Sequence, residues 1–188
     1  GTNGVLVPPK EYMPRLRDIC DQHKVLLIAD EVMSGWCRTG RWFAMDHWDV
    51  VPDILTTAKG ITNAAVPLGL CATTRRIASC FDDRFFSHGH TYEAHPLMLA
   101  PAIASINEMK RLDLVHRAME MGAYLGEKLS ELKSRHLSIG DVRGLGMFGG
   151  VDMVKNRRTK SPFNTAEEKI AGKPLLVGGS SDRAVVAA

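Results

Sequence analysis

The residues best placed to do joint chemistry are Asp30 and Lys59. Asp30 ends an apolar run of strand length, residues 25–29, and Lys59 follows the next strand candidate, residues 52–57. One loop and one strand of a parallel α/β sheet fit between them. Ligands of open α/β sheets bind at the carboxyl ends of strands, where both side chains would then sit. A lysine amine can form an imine with an aldehyde and can move a proton once a substrate amine displaces it. A carboxylate can keep a pyridine nitrogen protonated, which makes the ring a strong electron sink. The pair therefore suits pyridoxal 5′-phosphate (PLP). Many Asp–Lys pairs meet this spacing, however, and a strand-end aspartate also serves as a helix cap or turn former.

Three other patterns offer competing chemistry. The apolar strand followed by Asp30-Glu31 has the form of an ATPase magnesium site, but no G-x-x-x-x-G-K-[S/T] loop accompanies it. Gly144-Leu145-Gly146-Met147-Phe148-Gly149 matches G-x-G-x-x-G, yet the next residues read as a strand rather than the helix that would receive a pyrophosphate. His88, His90 and His95 gather around Glu93, but at no zinc-ligand spacing, so no metal is expected.

The elements that must carry these residues alternate. Tyr12, Leu16, Ile19 and Cys20 recur at helical spacing within residues 10–23, with Pro14 in the first turns. The continuous apolar run 25–29 suits a parallel strand buried on both faces, and residues 52–57 and 68–73 are two further strand candidates. Helical periodicity then covers 96–110 and 113–135. In the second stretch Leu114, Val115, Ala118, Met121, Leu125, Leu129 and Leu132 form an apolar stripe, expected to be core. Residues 137–142 and 150–154 read as strands around a glycine-rich bend. Strands alternating with helices indicate an α/β protein, with a candidate domain boundary near Arg135.

Composition narrows the class. The chain has 188 residues, 45% hydrophobic and 24% charged, with a formal net charge of +3. That charge argues for neither nucleic acid nor an anionic membrane, and no apolar stretch reaches the length of a membrane span. The basic run Lys155-Asn156-Arg157-Arg158-Thr159-Lys160 reads as a solvated loop. Four cysteines without C-x-x-C pairing point to a reducing cytoplasm.

Several motifs in fixed order resemble one known family. Ile28-Ala29-Asp30-Glu31-Val32, Gly35-x-x-Arg38-Thr39-Gly40, Pro52-Asp53-Ile54-Leu55 and Ala58-Lys59-Gly60 are similar to the signature of class III PLP aminotransferases, the omega-amino-acid:pyruvate and acetylornithine type. His88-Gly89-His90-Thr91-Tyr92-x-x-His95-Pro96 and Val142-Arg143-Gly144-Leu145-Gly146-Met147 resemble later segments of the same family. The likeness runs from residue 1 to about 176, and residues 178–183 depart from the pattern. The resemblance implies PLP fold type I: part of the PLP-binding large domain with its connecting helix over 1–135, the start of an α+β small C-terminal domain over 136–176, and an atypical tail over 177–188. It implies that Lys59 carries the cofactor, Asp30 partners the pyridine nitrogen, Val32 packs on the ring face, and Thr91 binds the cofactor phosphate across a homodimer interface. Met33 stands where many members have Gln. The reaction implied is amino transfer from an amine or omega-amino acid to a 2-oxo acid such as pyruvate. The alternatives are an aminomutase or decarboxylase on the same scaffold, or a catalytically silent folded fragment. Family members are roughly twice this long, so the isolated chain is expected to be inactive.

Overall fold

The computed structural model describes residues 4–164, residue 167 and the backbone of two short paired strands, Leu176–Val177 and Ala184–Val185. The expected tail 177–188 and the end of the segment 136–176 therefore lie largely outside the described residues.

Helix α1 (Tyr12–Gln22) falls within the span its periodicity predicts. It ends through a left-handed residue, Lys24, with φ 55°. Val25 N donates to Cys20 O at 2.9 Å and Lys24 N to Asp21 O at 3.2 Å, satisfying carbonyls at the helix end. The chain turns at once into β1 (Ile28–Asp30), which pairs in parallel with β2 (Ile54–Thr57), Asp30 opposite Thr56. Strand β3 (Leu70–Thr73) adds antiparallel to β2, giving the order β1-β2-β3. Apolar runs do not encode strand direction, so this antiparallel neighbour was not visible in the sequence.

A strand over 25–29 buried on both faces is corrected by the structure. Leu27 and Ala29 join Cys20, Met45 and Val50 in the core, with Met13, Leu16 and Trp48 packed against it. Val25, Leu26 and Ile28 are exposed, Ile28 by 58%. Strand β1 is an edge of the described sheet, and α1 with residues 44–50 covers only one of its faces.

A short helix α2 (Arg75–Ala78) leads into an exposed segment that ends at α3 (Pro96–Arg111). The α3 N-cap is His95, whose Nδ1 accepts from Leu97 N at 3.2 Å, and Pro96 occupies the first helical position. Helix α4 (Leu114–Arg135) closes where the sequence places its candidate boundary. Strands β4 (Ile139–Leu145) and β5 (Phe148–Met153) form a hairpin over the two-residue loop Gly146-Met147. Gly146 has φ +54°, the conformation such tight loops require. The G-x-G-x-x-G match is thus a hairpin turn.

Two further expectations change. The apolar stripe of α4 is only half-buried, with Met121 and Leu132 exposed, because among the described residues mainly the hairpin lies against it. The basic run 155–160 is not wholly solvated. Arg157 turns inward, donating from Nη2 to Lys133 O and to His136 O (2.6 Å) and from Nε to Ile139 O (3.0 Å). It thereby satisfies carbonyls at the end of α4 that have no partner within the helix.

Asp53 joins the elements around the first sheet. Its Oδ2 accepts from Leu27 N at 2.9 Å and from Arg17 Nη1 at 2.8 Å, and its Oδ1 accepts from Arg76 Nη2 at 2.8 Å. The residue before β2 therefore ties α1, the entry to β1 and α2 together. The Leu27 amide, and then Arg17, hold the Asp53 carboxyl below the usual carboxylate range.

Asp53→Ala is expected to lower the stability of the intact protein by about 3 kcal/mol, because one buried amide and the largely buried Arg17 lose their acceptor. A carboxylate with a lowered folded pKa contributes fully above its unfolded value of about 3.9, and that contribution is lost as pH falls through the folded value. Thermal melts below about pH 4 should therefore show the parent losing stability more steeply than Asp53→Asn. Parallel curves would remove Asp53 as the cause.

Candidate active site

Strand alternation sends Asp30 and Glu31 in opposite directions. Glu31 is 2% exposed, with Oε1 accepting from Met45 N at 2.8 Å and Oε2 from Ser34 Oγ at 2.6 Å. Both of its carboxylate oxygens are engaged in fastening the loop after β1. Asp30 is exposed, and its Oδ1 accepts from Val32 N at 3.0 Å. It does form the strand-end turn that an aspartate offers. Among the described residues its Oδ2 has no protein partner.

Lys59 lies three residues beyond Thr56, the residue opposite Asp30, so both functional side chains emerge at the carboxyl ends of adjacent parallel strands. Its backbone is left-handed, φ 48°, at the start of a 3-10 turn over Lys59–Ile61. A non-glycine residue in this region is strained, and such strain persists only where the surroundings hold it. Gly60 shows what does the holding: a Cβ there would lie 2.6 Å from Trp36 Cβ. Among the described residues Lys59 Nζ makes no ion pair or hydrogen bond, so the amine is not tied up by Asp30.

Asp30, Val32 and Lys59 line one cavity of about 520 Å³, with Met33, Ser34 and Thr39 on the same wall. That volume falls within the range of about 300–1,000 Å³ common for small-molecule sites. Residues 5–8 and Leu145 and Phe148 of the hairpin close other sides. Thr39 is buried, and among the described residues its Oγ1 has no protein partner. A primary amine, a carboxylate with one open oxygen and an apolar side chain on one cavity are a donor set that fits PLP.

Thr91 is not part of this cavity and is exposed. It does not cap α3 either, since His95 does. The nearby rings meet in series, edge to face or tilted: Phe81 and Phe86 at 4.7 Å, Phe86 and His88 at 5.6 Å, and His88 and His90 at 4.8 Å between centroids. Among the described residues no group of three His, Cys, Asp or Glu converges as a metal site would require.

The sequence reading missed the supports of the site. Gly40 (φ +82°) approaches Met119, and a Cβ on Gly146 would lie 2.4 Å from Thr39 C. Met147 N donates to Arg38 O at 2.9 Å. The hairpin turn is thus pressed onto the loop that carries Thr39. The Gly35-x-x-Arg38-Thr39-Gly40 pattern was the only available signal, and its spacing does not say which element it meets.

Comparison with known proteins gives consistent results. The family model "Aminotransferase class-III" matches residues 1–186, so the departure read at 178–183 lies inside the matched span. A taurine–pyruvate aminotransferase of Bilophila wadsworthia is 40% identical over 169 residues, covering 87% of this chain and 37% of that protein. A leucine/methionine racemase of Thermococcus litoralis is 36% identical over 178 residues, covering 95% of this chain and 40% of that protein. The crystal structure of a taurine:2-oxoglutarate aminotransferase from Bifidobacterium kashiwanohense, in complex with PLP and glutamate, superposes with a TM-score of 0.85 at 36% identity, over 92% of this chain and 39% of that one. The chain spans less than half the length of these relatives.

Gly146→Ala is expected to destabilise the intact protein by about 2–4 kcal/mol, because both the positive φ and the contact with Thr39 forbid a side chain. Gly126→Ala, with nothing within 4 Å of its Cβ, is the control and should be neutral or mildly stabilising in thermal melts. Equal melting temperatures for the two variants would show that the turn does not press on the loop.

Proposed function

This chain belongs to the class III aminotransferase family, and on that premise we propose that the whole protein is a PLP-dependent transaminase moving an amino group from an amine or omega-amino acid to a 2-oxo acid such as pyruvate. The observation that carries the reading is Lys59 and Asp30 at the ends of adjacent parallel strands on one cavity, which Val32 also lines.

Bound PLP supplies an aldehyde for covalent attachment and a pyridinium ring that draws electrons from the substrate's amino carbon. Lys59 Nζ would be the attachment point and, as a free amine, the base and acid that moves the proton at that carbon. Asp30, with Oδ1 fixed by Val32 N, keeps a proton on the ring nitrogen through its open oxygen. Val32, in the same cavity lining, would hold the ring's face. Thr91, exposed and away from its own chain's cavity, is assigned to the cofactor phosphate of a second copy, so the working unit is a homodimer. The four free thiols suit a reducing cytoplasm.

A second reading is isomerisation at the amino carbon without transfer, supported by the likeness to the racemase. The two differ in one requirement. Transfer needs a 2-oxo acid as acceptor, and isomerisation does not.

Borohydride reduction of the PLP-treated intact protein should place the pyridoxyl group on Lys59. Label on Lys24 or Lys110 instead would sink the assignment. Asp30→Asn should lose orders of magnitude in kcat while Lys59 still takes the label, because the ring nitrogen loses its proton but the amine remains. Activity within a few-fold of the parent would reduce Asp30 to a turn former.

The isolated 188-residue chain is expected to self-associate and to show little transaminase activity. Val25, Leu26 and Ile28 beside an unpaired strand edge, and Val51 at 76% exposure, present apolar surface to water. Gel filtration and a pyruvate-coupled assay with omega-amino acids decide it, and an active, well-behaved monomer would overturn it.

A further inference from the structure

We propose that Trp36 and Thr57 are positioning residues that aim Lys59 into the cavity; the proposal rests on the reading that Lys59 carries PLP. Trp36 Nε1 donates to Thr57 Oγ1 at 2.6 Å. An indole nitrogen can only donate, so the Thr57 hydroxyl must be the acceptor and its single proton is left for another partner. The oxygen within reach is the Glu31 carbonyl, at 3.5 Å. Thr57 is 2% exposed, so water does not compete for that proton. The polarity of the relay is therefore fixed, from Trp36 through Thr57 to the backbone just after Asp30.

The same tryptophan meets the chain on the far side of Lys59. A Cβ on Gly60 would lie 2.6 Å from Trp36 Cβ and 3.2 Å from Cδ1. The indole is itself held by Phe43, edge to face at 5.3 Å between centroids. Lys59 thus sits between two points fixed by one side chain, the hydroxyl two residues before it and the glycine after it. Its left-handed backbone, φ 48°, needs such restraint. Because its Nζ has no protein partner among the described residues, only the backbone turn and the cavity wall set where the amine points. Loosening the relay lets the turn relax and moves the amine relative to Asp30.

The test uses the intact protein with Trp36→Phe, which removes the indole donor together with part of the ring, Thr57→Val, which removes the hydroxyl at nearly constant shape, both together, and Thr57→Ser, which keeps the hydroxyl. Trace acetylation of the cofactor-free protein, followed by peptide mapping, gives the rate at Lys59 relative to exposed Lys24. Borohydride labelling after PLP treatment is read in parallel. Trp36→Phe and Thr57→Val should each change the Lys59 to Lys24 ratio by about threefold or more, the weight of one ordinary hydrogen bond. The double variant should change it no further, and Thr57→Ser should restore it. If the valine variant fails to fold, Trp36→Phe and Thr57→Ser decide alone. Pyridoxyl on Lys59 with an unchanged ratio overturns this proposal and leaves the cofactor reading standing. No pyridoxyl on Lys59 of the parent protein overturns the cofactor reading, and the proposal that rests on it, whatever the ratio.

Discussion

The carboxylate of Asp53 is the interaction on which the rest depends. It accepts from the Leu27 amide, from Arg17 of α1 and from Arg76 of α2. Without that acceptor the entry to β1 is tied to the start of β2 by backbone bonds alone, Asp53 N to Leu27 O at 2.9 Å and Ile54 N to Leu27 O at 3.2 Å. The parallel register then rests on those bonds and on three residue pairs. A one-residue slip would reverse the faces of Asp30 and Glu31, turning the cavity carboxylate inward and the buried one outward. The energy resides mainly in the buried amide and the largely buried Arg17. Arg76 is 71% exposed at its side chain and adds little through screened charge.

Close backbone approach is the second constraint. Gly60 lies against Trp36, Gly146 against Thr39, and Gly122 against Gly146, each closer than any Cβ would permit. These contacts stack α4, the hairpin turn, the loop after β1 and the lysine turn in succession. The cavity wall is therefore built from pieces distant in sequence, and its shape depends on the absence of side chains as much as on their presence. The hairpin adds a charge constraint of its own. Asp141 and Asp152 lie directly opposite each other, and Arg143 bridges them while Lys133 engages Asp141. Those cations hold both carboxyls below their usual range and turn a repulsive cross-strand pair into a favourable one.

Polar side chains that looked interchangeable in the sequence have separate duties. Both Asp30 and Glu31 line the cavity, but Asp30 is exposed with one open oxygen while Glu31 is buried and fastens a loop, and Arg157 satisfies helix-end carbonyls while its neighbour Arg158 stays in solvent. The edge-to-face rings from Phe81 to His90 stand in the exposed segment that also carries Thr91.

The sequence by itself determined helices over 10–23, 96–110 and 113–135, each end within two residues of the structure, the strand that ends at Asp30, and the placement of Asp30 and Lys59 at strand ends. These follow from local periodicity, from Pro96 at a helix start and from residue chemistry, which act over a few positions. It also carried the family likeness, because ordered motifs are a property of the chain. Tertiary structure alone decided the rest: the direction of β3, the half-exposed stripe of α4, the inward turn of Arg157, and the grip of Trp36 on Thr57 and Gly60. Each of these joins residues with no local periodicity between them, as in the hydrogen bond from Trp36 to Thr57 across 21 positions. A sequence pattern reports which face of an element is apolar. What comes to rest against that face is set by chain closure and packing over the whole fold.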